Sequence, residues 1–246
     1  MTHGAQILRQ ILTQAQQGGS KKLYVFDLDS TLFDVSPRIQ KIIHDFTLIP
    51  EHIAEFPEEV EILKTIELEK TDWGIKNAFF RAGLDKQHPS FYEKVRGFWF
   101  QRFFSNDYLQ YDVPYEGALN YVEALRKTGN DIVYLTGRDE IRMGKGSRET
   151  LLSVGFPLDG QQSRLVLKPN HDLIDHEFKK DWFLTLPRNE YSEIWFFENE
   201  PLNIELIQAQ ASFVKIVFFD STHSGKAEKP TQLPKIMHYL MDDKAD

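Results

Sequence analysis

The chain has 246 residues, 41% of them hydrophobic and 27% charged, with a formal net charge of −8 and a pI near 5.5. A chain of this length buries roughly 70–75% of its unfolded surface, enough for one large domain or a core carrying an inserted module. The acidic balance argues against nonspecific binding along nucleic acid, and the absence of cysteine excludes disulfides, thiol catalysis and thiolate metal sites.

In residues 1–20, Ile7, Leu8, Ile11 and Leu12 have helical spacing and Gly18 and Gly19 supply a stop, so an N-terminal helical extension is expected. No apolar run has the length of a signal peptide, and none approaches the roughly 20 residues of a membrane span. A soluble, cytoplasmic protein is expected. The stretch "KKLYVFDLDSTLFDV" (21–35) follows, with a strand at 23–26 leading into Asp27 and Asp29. In extended backbone, residues i and i+2 point to the same side, so both carboxylates face one site. That site lies at the strand's C-terminal end, the edge where open parallel sheets bind ligands. At ~4 Å two carboxylates repel by about 4 kcal/mol at an effective dielectric of 20, which calls for a cation or for protonation of one partner. The bland alternative is a turn, since Asp and Ser are common where strands end.

Residues 36–112 break the pattern. They read as helical and aromatic, and they far exceed the dozen or so residues that a crossover needs. An inserted helical module is expected here, with Ser36 as N-cap and Pro37 in the first turn. Its aromatic set, Phe79, Phe80, Phe91, Phe98, Trp99, Phe100, Phe103 and Phe104, is expected mainly in the module's own core, with the remainder touching substrate. After it, helical patterns at 117–130, 146–156 and 175–186 alternate with apolar runs at 132–135, 164–167, 194–197 and 213–218. Such alternation predicts an α/β fold with a mainly parallel sheet.

Polar residues cluster just after these runs. Thr136, Gly137 and Arg138 follow the second strand. Lys168 follows the third, and Lys179 lies early in the next helix. Glu198, Asn199, Glu200 and Asn203 follow the fourth. Each has a structural alternative: a Thr–Gly turn, a surface lysine, or acidic residues favoured at a helix N-terminus by its dipole. Asp175, in "NHDLIDH", reads as the N-cap of the helix carrying Lys179.

The string "DLDSTLF" resembles the nucleophile motif of the haloacid dehalogenase superfamily, D-x-D-x-[TV]-[LI]-[FY], at every defined position. The resemblance implies a Rossmann-like parallel-sheet core (21–35 and 113–246) with an inserted α-helical cap (36–112). It implies Asp27 as nucleophile, Asp29 as acid and base, and Thr136 with the Gly137 amide on the phosphate. Lys179, or less favourably Lys168, would steady the phosphate charge. Arg138, just after Thr136, reads equally as a phosphate or substrate contact and as an ordinary salt bridge. Mg²⁺ would be held by Asp27, Asp29 through its carbonyl, and Glu198. The family pattern commonly has Asp where this chain has Glu198, so direct and water-mediated metal contact both stay open. The implied activity is a Mg²⁺-dependent phosphomonoesterase acting on a small organic phosphate through an aspartyl-phosphate. An acid at the second Asp position favours phosphate chemistry over dehalogenation, because a departing halide needs no proton. Two alternatives remain: a nucleotide or polynucleotide-end phosphatase, and a non-catalytic binding protein on the same fold. The acidic stretch "EFPEEVEILKTIELEKTD" speaks against a nucleic acid partner. The sequence carries no signal for oligomeric state.

Overall fold

The computed structural model describes residues 2–84 and 88–241. Its strands are β1 (Lys22–Phe26), β2 (Phe33–Asp34), β3 (Val113–Pro114), β4 (Asp131–Asp139), β5 (Ser163–Lys168), β6 (Glu193–Glu198), β7 (Val214–Phe219) and β8 (Lys235–Ile236). Six of them form one sheet in the order β5-β4-β1-β6-β7-β8, with every neighbouring pair parallel. This is a Rossmann-like α/β core. The chain runs outward from β1 through β4 to β5, then returns to the other side of β1 at β6. The order therefore reverses at β1, and a crevice opens beyond the C-terminal ends of the strands that flank the reversal.

The run Leu23–Phe26 forms a central strand because both of its faces are covered. Tyr24 and Phe26 enter one buried cluster, with Leu8, Tyr121 and Leu125. Leu23 and Val25 enter another, with Phe183, Ile204 and Ile207. The first cluster is closed by α1 (His3–Gln16), whose Ile7, Leu8 and Ile11 are buried in it. The N-terminal helix is thus packed against the core and not merely appended to it.

Between β2 and β3 lie α2 (Ser36–Phe46), α3 (Pro50–Glu55), α4 (Pro57–Leu63), α5 (Lys76–Arg81) and α6 (Pro89–Phe103). All but α3, which buries no residue, share a third cluster that includes Val35, Ile39, Phe46, Val60, Leu63, Phe79, Phe91 and Val95. The chain leaves and re-enters the core through a short antiparallel ribbon, Phe33 opposite Pro114 and Asp34 opposite Val113. Ser36 is not an N-cap. It is the first helical residue, and its N–H and hydroxyl both donate to Asp34 Oδ1, at 2.9 and 2.6 Å. Two of the eight aromatics named above stand in solvent, Phe80 at 60% and Phe100 at 50% exposure.

The remaining helices are α7 (Ala118–Lys127), α8 (Glu140–Val154), α9 (Asp175–Thr185) and α10 (Pro201–Gln210). The helix expected at 146–156 begins six residues earlier, because the Asp139 carboxylate caps it by accepting the Arg142 N–H at 2.9 Å. Among the described residues, no helix is long and apolar enough to cross a membrane.

Candidate active site

One cavity of about 270 Å³ sits at the C-terminal edge of the sheet. Asp27, Asp29, Thr136, Gly137, Arg138, Lys179 and Glu198 all line it. β1 ends at Phe26, and Asp27 extends its pairing by one step through an N–H bond to Phe197 O at 3.0 Å. The chain then turns tightly: Leu28 O accepts the N–H groups of Thr31, Leu32 and Phe33. Ser30 takes a left-handed φ of 61°, unusual outside glycine, and is held there by its N–H bond to Phe33 O at 2.8 Å.

Lys179, from α9, is buried and joins two strand tips. Its ammonium donates to Asp27 Oδ1 at 2.6 Å and to Glu198 Oε2 at 2.7 Å. Asp27 Oδ2 accepts the Thr31 hydroxyl at 3.0 Å. Glu198 is fully occupied: its Oε1 accepts the Asn199 and Glu200 N–H groups, and its Oε2 also accepts Asn203 Nδ2, each at 2.9 Å. Burial pushes Asp27 up to about 7 against the pull of Lys179. Burial alone would lower the Lys179 ammonium, but the two carboxylates outweigh it and hold it above the usual lysine range.

Asp29 answers to different cations. Its Oδ1 accepts Arg38 Nη2 and Arg138 Nη2, both at 2.6 Å, and its Oδ2 accepts Arg138 Nε at 3.2 Å. Both guanidiniums are also paired with buried Asp112, Arg138 Nη2 at 2.6 Å and Arg38 Nε at 2.9 Å. Burial works against ionisation of Asp29, but the two arginines prevail and hold it well below the usual carboxylate range. Asp112, more deeply enclosed, is pushed by burial up to about 6. The repulsion expected between Asp27 and Asp29 is therefore offset by separate side-chain cations.

Thr136 is buried, and its hydroxyl accepts the Arg138 N–H at 3.3 Å. A Cβ on Gly137 would lie 2.7 Å from Asp175 Oδ2, so any side chain there must displace the Asp175 carboxylate. Lys168 lies elsewhere: its ammonium donates to Asp175 Oδ1 at 2.6 Å and to Leu173 O at 2.9 Å. Asp175 is consequently not the N-cap of α9. It occupies the first helical position with its carboxylate turned to Lys168, and Ile174 stands at the cap. Sequence reasoning passed over Arg38, Asp112 and Thr31. Thr31 stood in the matched string itself, whereas nothing near Arg38 or Asp112 marked them as partners of Asp29. Among the described residues, no group of three or more His, Asp and Glu side chains is arranged to hold a metal.

A profile of the haloacid dehalogenase-like hydrolases matches residues 21–161. The chain belongs to this hydrolase family. Solved structures share its fold at low identity. A haloacid dehalogenase-like hydrolase of Burkholderia xenovorans LB400 is 13% identical with a TM-score of 0.50, covering 90% of this chain and 94% of that one. Protein tyrosine kinase A of Mycobacterium tuberculosis is 14% identical with a TM-score of 0.51, covering 89% and 94%. A Clostridium difficile protein assigned as a phosphatase is 15% identical with a TM-score of 0.50, covering 82% and 86%. No curated protein matches the chain. Within this family of hydrolases, the present chain brings the carboxylates of β1 and β6 together through one lysine.

Proposed function

We propose that the chain is a phosphomonoesterase acting on a small organic phosphate, with Asp27 as nucleophile. The observation that carries this reading is the Asp27–Lys179–Glu198 cluster in the same cavity as Thr136 and Gly137. In-line attack by the Asp27 carboxylate on phosphorus forms an aspartyl-phosphate and releases the alcohol. Water then cleaves the acyl phosphate, restoring Asp27 and freeing inorganic phosphate. Lys179, the Thr136 hydroxyl and the Gly137 amide hold the charge of the phosphoryl oxygens. Residues 36–112 act as a cap over the site, with 21–35 and 113–246 as the core.

Asp29 is the residue that gives a proton to the leaving oxygen and then takes one from the attacking water. A general acid works best with a pKa near the operating pH. Clamped by two guanidiniums, Asp29 stays ionised, so donation requires loosening of an arginine contact as substrate enters.

The residues fit Mg²⁺. Two carboxylates, Asp27 and Glu198, share one ammonium, which leaves the cavity floor with a net negative charge. Mg²⁺ prefers oxygen donors, needs only one or two carboxylates and keeps several waters. Asp27 and the Asp29 carbonyl would hold the ion directly. Glu198, whose oxygens already accept four N–H donors, would hold it, directly or through water, only in exchange for one of those donors. The bound ion would supply charge neutralisation for the phosphate and keep Asp27 ionised.

The test is hydrolysis of a broad panel of phosphate monoesters with and without Mg²⁺. Asp27→Asn is expected to reduce turnover by at least about a thousandfold while the thermal transition is retained. Wild-type protein that hydrolyses no ester in the presence of Mg²⁺ would rule the reading out.

A further inference from the structure

The cavity has two chemically different sides. Its floor carries the charged cluster at the strand tips, and its outer wall comes from the helical segment between β2 and β3. That wall is aromatic: Trp73, Trp99, Phe103 and Phe104 all line the cavity. Three of the rings form a continuous surface, with centroids 5.0 Å apart for Trp99 and Phe103 and 5.0 Å apart for Phe103 and Phe104.

Trp73 differs from the other three. It is 50% exposed, although the segment has a buried apolar cluster of its own that could have taken it. The turn that carries it is built to hold it out. The buried Asp72 carboxylate accepts Arg81 Nη1 at 2.5 Å, Arg81 Nη2 at 2.7 Å and the Glu69 N–H at 2.9 Å. Asp72 N–H returns to Glu69 O at 2.9 Å. Gly74 follows with φ +64°, a left-handed turn that favours glycine, and a Cβ there would sit 3.7 Å from the Trp99 indole. Unlike the comparably exposed Phe80 and Phe100, Trp73 lines the cavity, where a ligand covering its ring would remove apolar area from water. Ring stacking at a preset position favours a planar aromatic partner over an aliphatic one of equal size, and the preset turn lowers the ordering entropy of binding.

We propose that the substrate carries a flat aromatic ring on its leaving-group side, stacked on Trp73 and bounded by Trp99, Phe103 and Phe104. The phosphate end of this assignment rests on the phosphomonoesterase reading; the ring end rests on the wall alone.

Two non-hydrolysable probes test it by calorimetry in Mg²⁺: benzylphosphonate and cyclohexylmethylphosphonate, alike in size and charge. Benzylphosphonate is expected to bind about 5-fold tighter. The ratio should fall to about one in Trp73→Ala and persist in Trp73→Phe. Trp73 is half exposed, so these variants keep the core intact. A wild-type ratio near one, a preference that survives Trp73→Ala, or no binding of either probe overturns the inference. Turnover of benzyl phosphate and cyclohexylmethyl phosphate separates the two readings. Aromatic binding preference without any turnover removes the phosphomonoesterase and keeps the platform. Equal turnover of both esters removes the platform and keeps the phosphomonoesterase.

Discussion

Lys179 is the single ammonium between two buried carboxylates, and its removal has a definite consequence. Lys179→Met leaves Asp27 and Glu198 facing each other without a cation. Breaking a buried ion pair from one side costs about 3–5 kcal/mol. The variant is expected to lose that much in denaturant unfolding without metal. Asp27→Asn, which removes charge from a site with excess negative charge, should unfold near the wild-type midpoint. Equal losses for the two would mean that the cluster is not charge-limited. Gly137→Ala tests the neighbouring contact. The new methyl must displace the Asp175 carboxylate and, with it, the Lys168 pair. Overpacking of this kind costs about 1–3 kcal/mol. Recovery of stability in Gly137→Ala combined with Asp175→Ala, measured as a double-mutant cycle, would confirm the clash, and strict additivity would disprove it. Much of the candidate site was legible because its residues stand at the ends of apolar runs: Asp27 directly follows β1, Thr136 follows the run 132–135 within β4, and Glu198 is the last residue of β6. Arg38 and Asp112 were not readable in that way, because their relation to Asp29 exists only once the ribbon of β2 and β3 folds back on the core.

At the level of elements, the central strands were predictable for a physical reason. Burial on both faces demands unbroken apolar runs, and few other structures do. The two-residue strands β2, β3 and β8 carry no such demand and left no pattern. The Asp72 turn makes a prediction of its own. Burial pushes the Asp72 carboxyl up, but the two Arg81 hydrogen bonds and the Glu69 N–H together hold it below its usual value. A carboxylate depressed in the folded state contributes stability above its unfolded value near 3.9 and loses it as pH falls through the folded value. Arg81→Met should therefore be less stable than wild type at neutral pH. Because Arg81 is 40% exposed, the difference should be only about 1 kcal/mol. The gap should hold from pH 7 down to about 4 and close below it. A gap that widens in acid would contradict the depressed carboxyl.

The described residues form three buried clusters, two on opposite faces of the sheet and one inside the segment between β2 and β3. The third connects to the others through a ribbon of two residue pairs, through the Arg38–Asp29–Arg138–Asp112 network, and through residues 106–111, where Asn106 Oδ1 accepts the Gly146 N–H of α8 at 2.7 Å. Such a division predicts that the segment can loosen while the sheet stays folded. Phe91 is the probe: it is fully buried, with ring centroids 5.1 Å from Phe56, 5.7 Å from Phe46 and 6.1 Å from Phe79. Phe91→Ala removes about 3–5 kcal/mol of packing there. Hydrogen exchange in native buffer should then accelerate in α2, α4 and α6, while the amides of β1, β4 and β6 keep their wild-type protection. The segment supplies Trp73 and Trp99 to the cavity wall, but Asp27, Lys179 and Glu198 belong to the sheet and its helices. Binding of benzylphosphonate should consequently weaken in this variant more than binding of inorganic phosphate. Uniform acceleration across both segment and sheet would mean that the chain unfolds as one unit, with the ion network strong enough to transmit the loss.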